Sequence, residues 1–241
     1  MDIKTRVLDL LTVKKALKLA PSPTDFFRLK SGRASPYFVS TGALSDGESQ
    51  SVLKKAFAET IKKGLDNGTL EEFDYVFGPA YKGIPLAVLA CEGLFEEYGL
   101  NKKVLYDRKE AKDYGDATGA ASAGQWLVGA DGWTEGQRVL LIDDVITTGK
   151  AKYESLERLK LLPGLKLAGM VLVVDRQERL GTAEEVGAKS AVEEINEKLG
   201  IKTSSILTAS EIYSLRKDSF SPEVGSAWRT YFEKYGAVKL G

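Results

Sequence analysis

The chain has 241 residues, with 34 Lys and Arg against 34 Asp and Glu, one cysteine and no histidine. The charge balance argues against sequence-independent nucleic-acid binding, which needs a basic excess. The residue counts exclude an intrachain disulfide, any histidine-dependent triad, and any metal site built from histidines or several cysteines. The length suits one large domain or two small ones, with a core that needs no disulfide or structural metal. Hydrophobic residues at 43% and charged residues at 28% are the balance of a soluble globular protein. A single cysteine points to a reducing, cytoplasmic setting.

At the start of the chain, MDIKTRVLDLLTVKKALKLA places Ile3, Val7, Leu10, Leu11 and Leu17 at helical spacing with lysines between them. That is an amphipathic helix rather than a secretory signal. Without such a signal, the glycosylation sequon Asn67-Gly68-Thr69 reads as chance. FDYVFGPAYKG, Phe73 to Gly83, reads as a strand, a Gly-Pro break and a helix through Tyr98. The longest apolar run, Ile84 to Cys91, is far too short to span a bilayer. KKVLYDRKE, Lys102 to Glu110, is a strand entering a polar loop.

The segment that follows, AKDYGDATGAASAGQ from Ala111 to Gln125, is rich in Gly and Ala and has little to bury. It is either a plain surface loop or a lid, since Arg108, Lys109 and Lys112 stand at its entrance. A short strand is expected at Trp126 to Gly129. RVLLIDDV, Arg138 to Val145, is a strand, with a helix from Lys150 to Leu161. LKLAGMVLVVDRQE, Leu165 to Glu178, holds another strand. Beyond Thr182, helices over Glu184–Leu199, Ser210–Lys217 and Ala227–Tyr235 read as scaffold. No internal repeat, low-complexity tract or linker is present.

Apolar strands alternating with helices predict an α/β fold with a mostly parallel central sheet covered on both faces. Charged residues cluster where those strands end: Asp107, Arg108 and Lys109; Asp143 and Asp144; Asp175 and Arg176. Ligands of open parallel sheets bind beyond the carboxyl ends of the strands, so this rim is the candidate site.

After Asp143 and Asp144, the hydroxyl- and glycine-rich turn Thr147-Thr148-Gly149 leads into a helix. Free backbone N–H groups and a positive dipole end make that turn an anion cradle suited to a phosphate. It is not a Walker loop, because no glycine stands five residues before Gly149 and Ala151 occupies the Ser/Thr place. Nor is there a G-x-G-x-x-G. Carboxylates repel phosphate but accept hydrogen bonds from vicinal hydroxyls, which suggests a sugar phosphate. Spacing alone leaves open the plainer alternative of one solvated and one helix-capping aspartate.

The stretch VLLIDDVITTGKA resembles the phosphoribosyl-pyrophosphate (PRPP) motif of type I phosphoribosyltransferases. LKSGRASPYF (Leu29 to Phe38), FGPAYKGIPLA (Phe77 to Ala87), RKEAKD (Arg108 to Asp113) and DRQE (Asp175 to Glu178) resemble the orotate phosphoribosyltransferase family, in the order that family shows. The matches span roughly residues 25 to 180, and five in register are far more specific than any one. The resemblance implies a type I phosphoribosyltransferase-like fold in one domain over residues 1–241. It divides into an N-terminal hood to about residue 70, a core to about 180 and a C-terminal helical scaffold from about 181. It implies conversion of orotate and PRPP to orotidine 5'-monophosphate and pyrophosphate with Mg²⁺, in a homodimer whose lid loop is shared across subunits. Neither nucleic acid nor membrane is expected as a partner.

Carried onto this chain, the resemblance gives Asp143 and Asp144 the ribose hydroxyls. Thr147, Thr148, Gly149, Lys150 and Ala151 would take the 5-phosphate, with Val145 and Ile146 leading into the turn. Tyr81 and Lys82 would meet the pyrophosphate, with Lys30 between pyrophosphate and base. Arg108, Lys109 and Lys112 would neutralise the leaving group. Phe38 would pack on the orotate ring, Arg176 would pair with its carboxylate, and Thr147 would also reach orotate. The chain departs from the family pattern at Tyr114, where a histidine is usual, and at Val39, where a second aromatic is common. It departs again at Lys150, which replaces a threonine, and in a longer lid. Tyr114 can donate a hydrogen bond to pyrophosphate but cannot carry a positive charge. The alternatives are transfer to another nucleobase and a PRPP-sensing regulator. A regulator would have no need of Lys109 and Lys112, and a fusion with a decarboxylase does not fit the length.

Overall fold

The computed structural model describes residues 2–111, 121–146 and 150–241. Helix α1 (Ile3–Val13) forms as its spacing predicts, with Val7, Leu8, Leu10 and Leu11 buried on one face and the Asp2 carboxylate capping the Lys4 N–H. Leu17 belongs instead to strand β1 (Leu17–Leu19). Strands β2 (Phe27–Arg28) and β3 (Ala34–Ser35) pair antiparallel, and β4 (Tyr37–Val39) pairs antiparallel with β1. The 20-residue helix α2 (Gly47–Asp66), capped by Asp46, follows.

The next strand is β5 (Tyr75–Gly78), which leads into helix α3 (Gly83–Tyr98) and strand β6 (Lys103–Asp107). Helix α4 (Ala121–Trp126) and strand β7 (Leu127–Val128) precede strand β8 (Arg138–Val145) and helix α5 (Lys150–Leu159). Strand β9 (Lys166–Asp175) is followed by a hairpin of β10 (Arg179–Gly181) and β11 (Val186–Ser190), then helix α6 (Ala191–Leu199). Strand β12 (Thr203–Thr208) and helices α7 (Ala209–Arg216) and α8 (Pro222–Tyr235) complete the described chain.

Six strands form the central sheet in the order β12-β9-β8-β5-β6-β7. All neighbours run parallel except the β6–β7 edge. Because side chains alternate along a strand, β8 feeds both faces: Leu140 and Ile142 enter one core, Val139 and Leu141 the other. Residues of α1, α2, α3, α7 and α8 pack on the first face, and those of α4, α5 and α6 on the second. Burial on both faces is why these strands read as unbroken apolar runs. Among the described residues no helix is long and apolar enough to cross a membrane.

The chain winds from β5 to β6 in one direction and from β8 to β9 to β12 in the other. The strand order therefore reverses between β5 and β8, with α3 and α5 on opposite faces. A reversal of this kind opens a crevice at the carboxyl ends of the two strands. Aromatic packing ties the N-terminal strands to α8. Tyr37 of β4 stacks on Trp228 of α8, ring centroids 4.7 Å apart, and both side chains are fully buried with Phe232 beneath.

Two expectations need correction. Glu184–Leu199 is not one helix: its first half forms β11, and α6 begins only after Ser190, whose hydroxyl and Glu193 make a reciprocal capping box. The C-terminal segment is not only helical, because β12 lies beside β9 as an edge of the central sheet.

Candidate active site

Asp143 and Asp144 lie at the carboxyl end of β8, where the register pairs Val145 with Val174 of β9. Asp143 is buried, and its Oδ1 accepts the Asp144 N–H at 2.7 Å. The Asp144 carboxylate gathers three segments. Its Oδ2 accepts the Thr41 hydroxyl at 2.7 Å, from the short helical turn after β4, and lies 3.3 Å from Lys82 Nζ in the turn after β5. Its Oδ1 accepts the Val145 N–H at 2.7 Å. Burial favours the neutral acid, but the Thr41 hydroxyl, the Val145 N–H, Asp143 and the Lys82 charge outweigh it and hold the carboxyl below its usual range. An ionised acceptor at the mouth of the crevice is what sugar hydroxyls require.

The turn after β5 is tight because two glycines touch. A Cβ on Gly78 would lie 2.0 Å from the Gly83 carbonyl oxygen, and one on Gly83 would lie 2.5 Å from Pro79. The Gly83 N–H closes the turn onto the Pro79 carbonyl at 2.9 Å, and the Ala80–Tyr81 peptide is cis. Tyr81 is 72% exposed and Lys82, although it reaches Asp144, also stands largely in solvent, so both are accessible to a ligand at the N-terminal end of α3.

The β6 strand ends in Asp107, which is buried. Its Oδ1 accepts the Ala80 N–H at 2.7 Å, while its Oδ2 accepts the Ser155 hydroxyl at 2.8 Å and Arg158 Nη1 at 2.6 Å, both from α5. Arg108 and Lys109 follow, half-buried, and the Arg108 N–H donates to the Trp126 carbonyl at 2.7 Å.

Just beyond the end of β9, Arg176 is held in a polar layer against Ser35 of β3 and Tyr37 of β4. Its Nη2 and Nε donate to Glu178 Oε1 at 2.6 and 3.2 Å, and the guanidinium lies 4.9 Å over the Tyr37 ring. Tyr37 also donates to Glu178, at 3.1 Å. Burial works against the Arg176 charge, yet Tyr37 and Glu178 raise its pKa above the usual value, so it is cationic at any working pH. Burial pushes the neighbouring Asp175 carboxyl up. Phe38, half-buried, lies beside Phe27 with centroids 6.0 Å apart, and Val39 packs against the first core. Lys30 is exposed in the turn between β2 and β3.

Tyr81 and Lys82, Arg108 and Lys109, Asp143 and Asp144, and Arg176 thus stand at or just beyond the carboxyl ends of β5, β6, β8 and β9, while Lys30 lies between β2 and β3 and Phe38 and Val39 lie in β4. Ile146 packs against the second core, and Lys150 and Ala151 open α5 immediately beyond the expected phosphate turn. Thr147, Thr148, Gly149, Lys112 and Tyr114 lie outside the described residues. Thr41 carries no sequence signal, and the partnership of Glu178 with Arg176 is visible in the sequence only as part of the DRQE stretch. Among the described residues no group of three or more His, Cys, Asp or Glu side chains is placed to hold a metal ion. The rim carboxylates are hard oxygen donors, which fit a Mg²⁺ ion held mainly by water and substrate oxygens.

The chain is 36% identical over 241 residues to an orotate phosphoribosyltransferase of Bifidobacterium longum, covering 96% of this chain and 97% of that protein. It is 41% identical over 212 residues to an orotate phosphoribosyltransferase of Schizosaccharomyces pombe, covering 88% of this chain and 90% of the relative. In three dimensions it is similar to the crystal structure of an orotate phosphoribosyltransferase of Francisella tularensis. There the TM-score is 0.76 at 32% identity, with 96% of this chain and 99% of the other covered. No protein-family model matches.

Proposed function

The chain belongs to the orotate phosphoribosyltransferase family, and we propose that its strand-end rim carries out that enzyme's reaction in pyrimidine biosynthesis. Orotate and PRPP enter; orotidine 5'-monophosphate and pyrophosphate leave. The observation that carries this reading is the placement of Asp144. One ionised carboxylate meets the Thr41 hydroxyl and Lys82 at the strand-order reversal, with Arg176 just beyond the end of the adjacent strand.

Asp143 and Asp144 accept hydrogen bonds from the ribose hydroxyls. Thr147 to Ala151 receive the 5-phosphate at the N-terminal end of α5. Tyr81 and Lys82 hold the pyrophosphate, with Lys30 beside it, and Arg108, Lys109 and Lys112 neutralise the charge that develops on it as the anomeric C–O bond breaks. Arg176 takes the orotate carboxylate and Phe38 the ring face. The reaction passes through an oxocarbenium-like state, and orotate's ring nitrogen is acidic enough to attack without a strong protein base. The protein's work is therefore orientation and charge stabilisation. Mg²⁺ would neutralise phosphate oxygens and would be held mainly by substrate oxygens and water.

A cytoplasmic homodimer in which the segment after Lys109 serves the neighbouring subunit's site is part of the same proposal. Val88 and Phe95 support it: they lie seven residues apart on α3 and are 46% and 58% exposed. That is an apolar stripe suited to a second copy. The test is orotate consumption, followed by its absorbance, together with pyrophosphate release from PRPP, with and without Mg²⁺. Orotate-dependent release, absent with adenine, guanine or uracil, is the expected result. Release driven by another base, or PRPP binding without turnover, refutes the assignment.

A further inference from the structure

We infer that Asp107 is a positioning residue that sets the distance between the two anion-binding ends of the site, a role that rests on the function proposed above. PRPP carries a phosphate at one end of its ribose and a pyrophosphate at the other. The turn holding Tyr81 and Lys82 and the start of α5 must therefore stand at a fixed separation.

The structure joins them through one side chain. Asp107 Oδ1 accepts the Ala80 N–H at 2.7 Å, next to Tyr81 in the pyrophosphate turn. Asp107 Oδ2 accepts Ser155 Oγ at 2.8 Å and Arg158 Nη1 at 2.6 Å, both on the helix that begins at Lys150. Each oxygen serves a different end of the ligand. The Arg158 guanidinium also lies 4.7 Å over the Trp126 ring, whose carbonyl takes the Arg108 N–H. The same cluster thereby fixes the root of the basic segment. Asp107 is 1% exposed and touches no expected ligand position, so it acts through the backbone of the turn and through α5. Its three donors come from two elements distant in sequence, both at the site.

A ligand tethered at both ends gains from linkage only when the spacing of its subsites matches its own length. Misplacing one subsite by about 1 Å can cost on the order of 10²-fold. Each subsite alone, by contrast, binds a separate fragment regardless of the distance between them.

Asp107→Asn keeps an acceptor for Ala80 but turns an N–H₂ toward Arg158 and Ser155, which releases α5 while leaving the turn. The experiment measures, by calorimetry in Mg²⁺, the affinities of inorganic pyrophosphate, ribose 5-phosphate and PRPP for the unaltered and variant proteins. The variant is expected to bind each fragment within about twofold of the unaltered protein and PRPP about tenfold or more weakly. Equal weakening of all three ligands, or unchanged PRPP affinity, overturns the inference. If circular dichroism shows that Asp107→Asn does not fold, Arg158→Lys, which shortens the reach from α5, takes its place. The same selective loss of PRPP is then expected, and equal weakening or unchanged PRPP affinity again overturns the inference. An unaltered protein that neither binds PRPP nor consumes orotate overturns the functional reading itself, and this inference with it.

Discussion

Thr41→Val removes the hydroxyl that donates to Asp144 Oδ2 at 2.7 Å and leaves a side chain of nearly the same shape. Asp144 then retains the Val145 N–H at 2.7 Å and Lys82 at 3.3 Å. A hydrogen bond to a charged group contributes about 1.5–3 kcal/mol. The Asp144 side chain is 14% exposed, so water can partly replace the hydroxyl and the lower end, about 1.5 kcal/mol, applies. The pH dependence follows from the direction of the shift. The folded carboxyl sits below its ordinary value of 3.8, so its stabilisation is present above that value and is lost as pH falls through the lowered one. The variant is therefore less stable by about 1.5 kcal/mol near neutral pH, and the deficit shrinks below about pH 4. Urea midpoints measured between pH 7 and pH 3 read this out, and Thr41→Ser should restore the unaltered profile. A deficit of constant size across that range, or a serine variant as weak as the valine one, refutes the reasoning. If the same interaction is expressed in the transition state, kcat/KM for PRPP falls about tenfold in the valine variant.

Lys112→Ala is expected to lower turnover by roughly 10²-fold or more while circular dichroism stays unchanged, and an unaltered rate refutes its assigned role. Arg176→Lys keeps a cation for Glu178 but loses the planar fork. The KM for orotate should therefore rise roughly tenfold with little change for PRPP, and equal changes in both contradict the carboxylate assignment. Burial pushes the Cys91 thiol up to about 12, so a thiol reagent at pH 8 should leave the native protein unlabelled and react once urea unfolds it. Rapid native labelling contradicts the buried placement. Phe95→Glu puts a charge on the exposed stripe of α3 and should convert a sedimenting dimer to monomer. A dimer unaffected by it places the interface elsewhere.

The central sheet is legible in the sequence because its strands are buried on both faces and read as apolar runs, RVLLI and MVLVV among them. The rim is legible for the complementary reason: each run breaks abruptly into charge at Asp107, Asp143 and Asp175. The N-terminal strands are less so, since β2, β3 and β4 are two or three residues long and carry no periodicity to detect. Helix α2 is a different case, absent from the expected elements although Val52, Leu53, Ala56, Phe57 and Ile61 form a stripe behind an Asp46 cap. The stretch before Ser190 is rich in Ala, Glu and Lys, which favours helix intrinsically. Pairing with β10 overrides that preference, with Arg179 opposite Ser190. The links from Thr41 to Asp144 and from Asp107 to Ala80 join residues 103 and 27 positions apart, and spacing arguments have no access to such contacts.

The most direct test is a crystal structure with PRPP, Mg²⁺ and an unreactive orotate analogue bound. The ribose hydroxyls should lie within hydrogen-bonding distance of the Asp143 and Asp144 carboxylates, with the 5-phosphate at the start of α5, the pyrophosphate at Tyr81 and Lys82, and the analogue's carboxylate on Arg176. A sugar phosphate seated away from the ends of β5 and β8, or one whose hydroxyls face neither aspartate, contradicts the assignment of this rim.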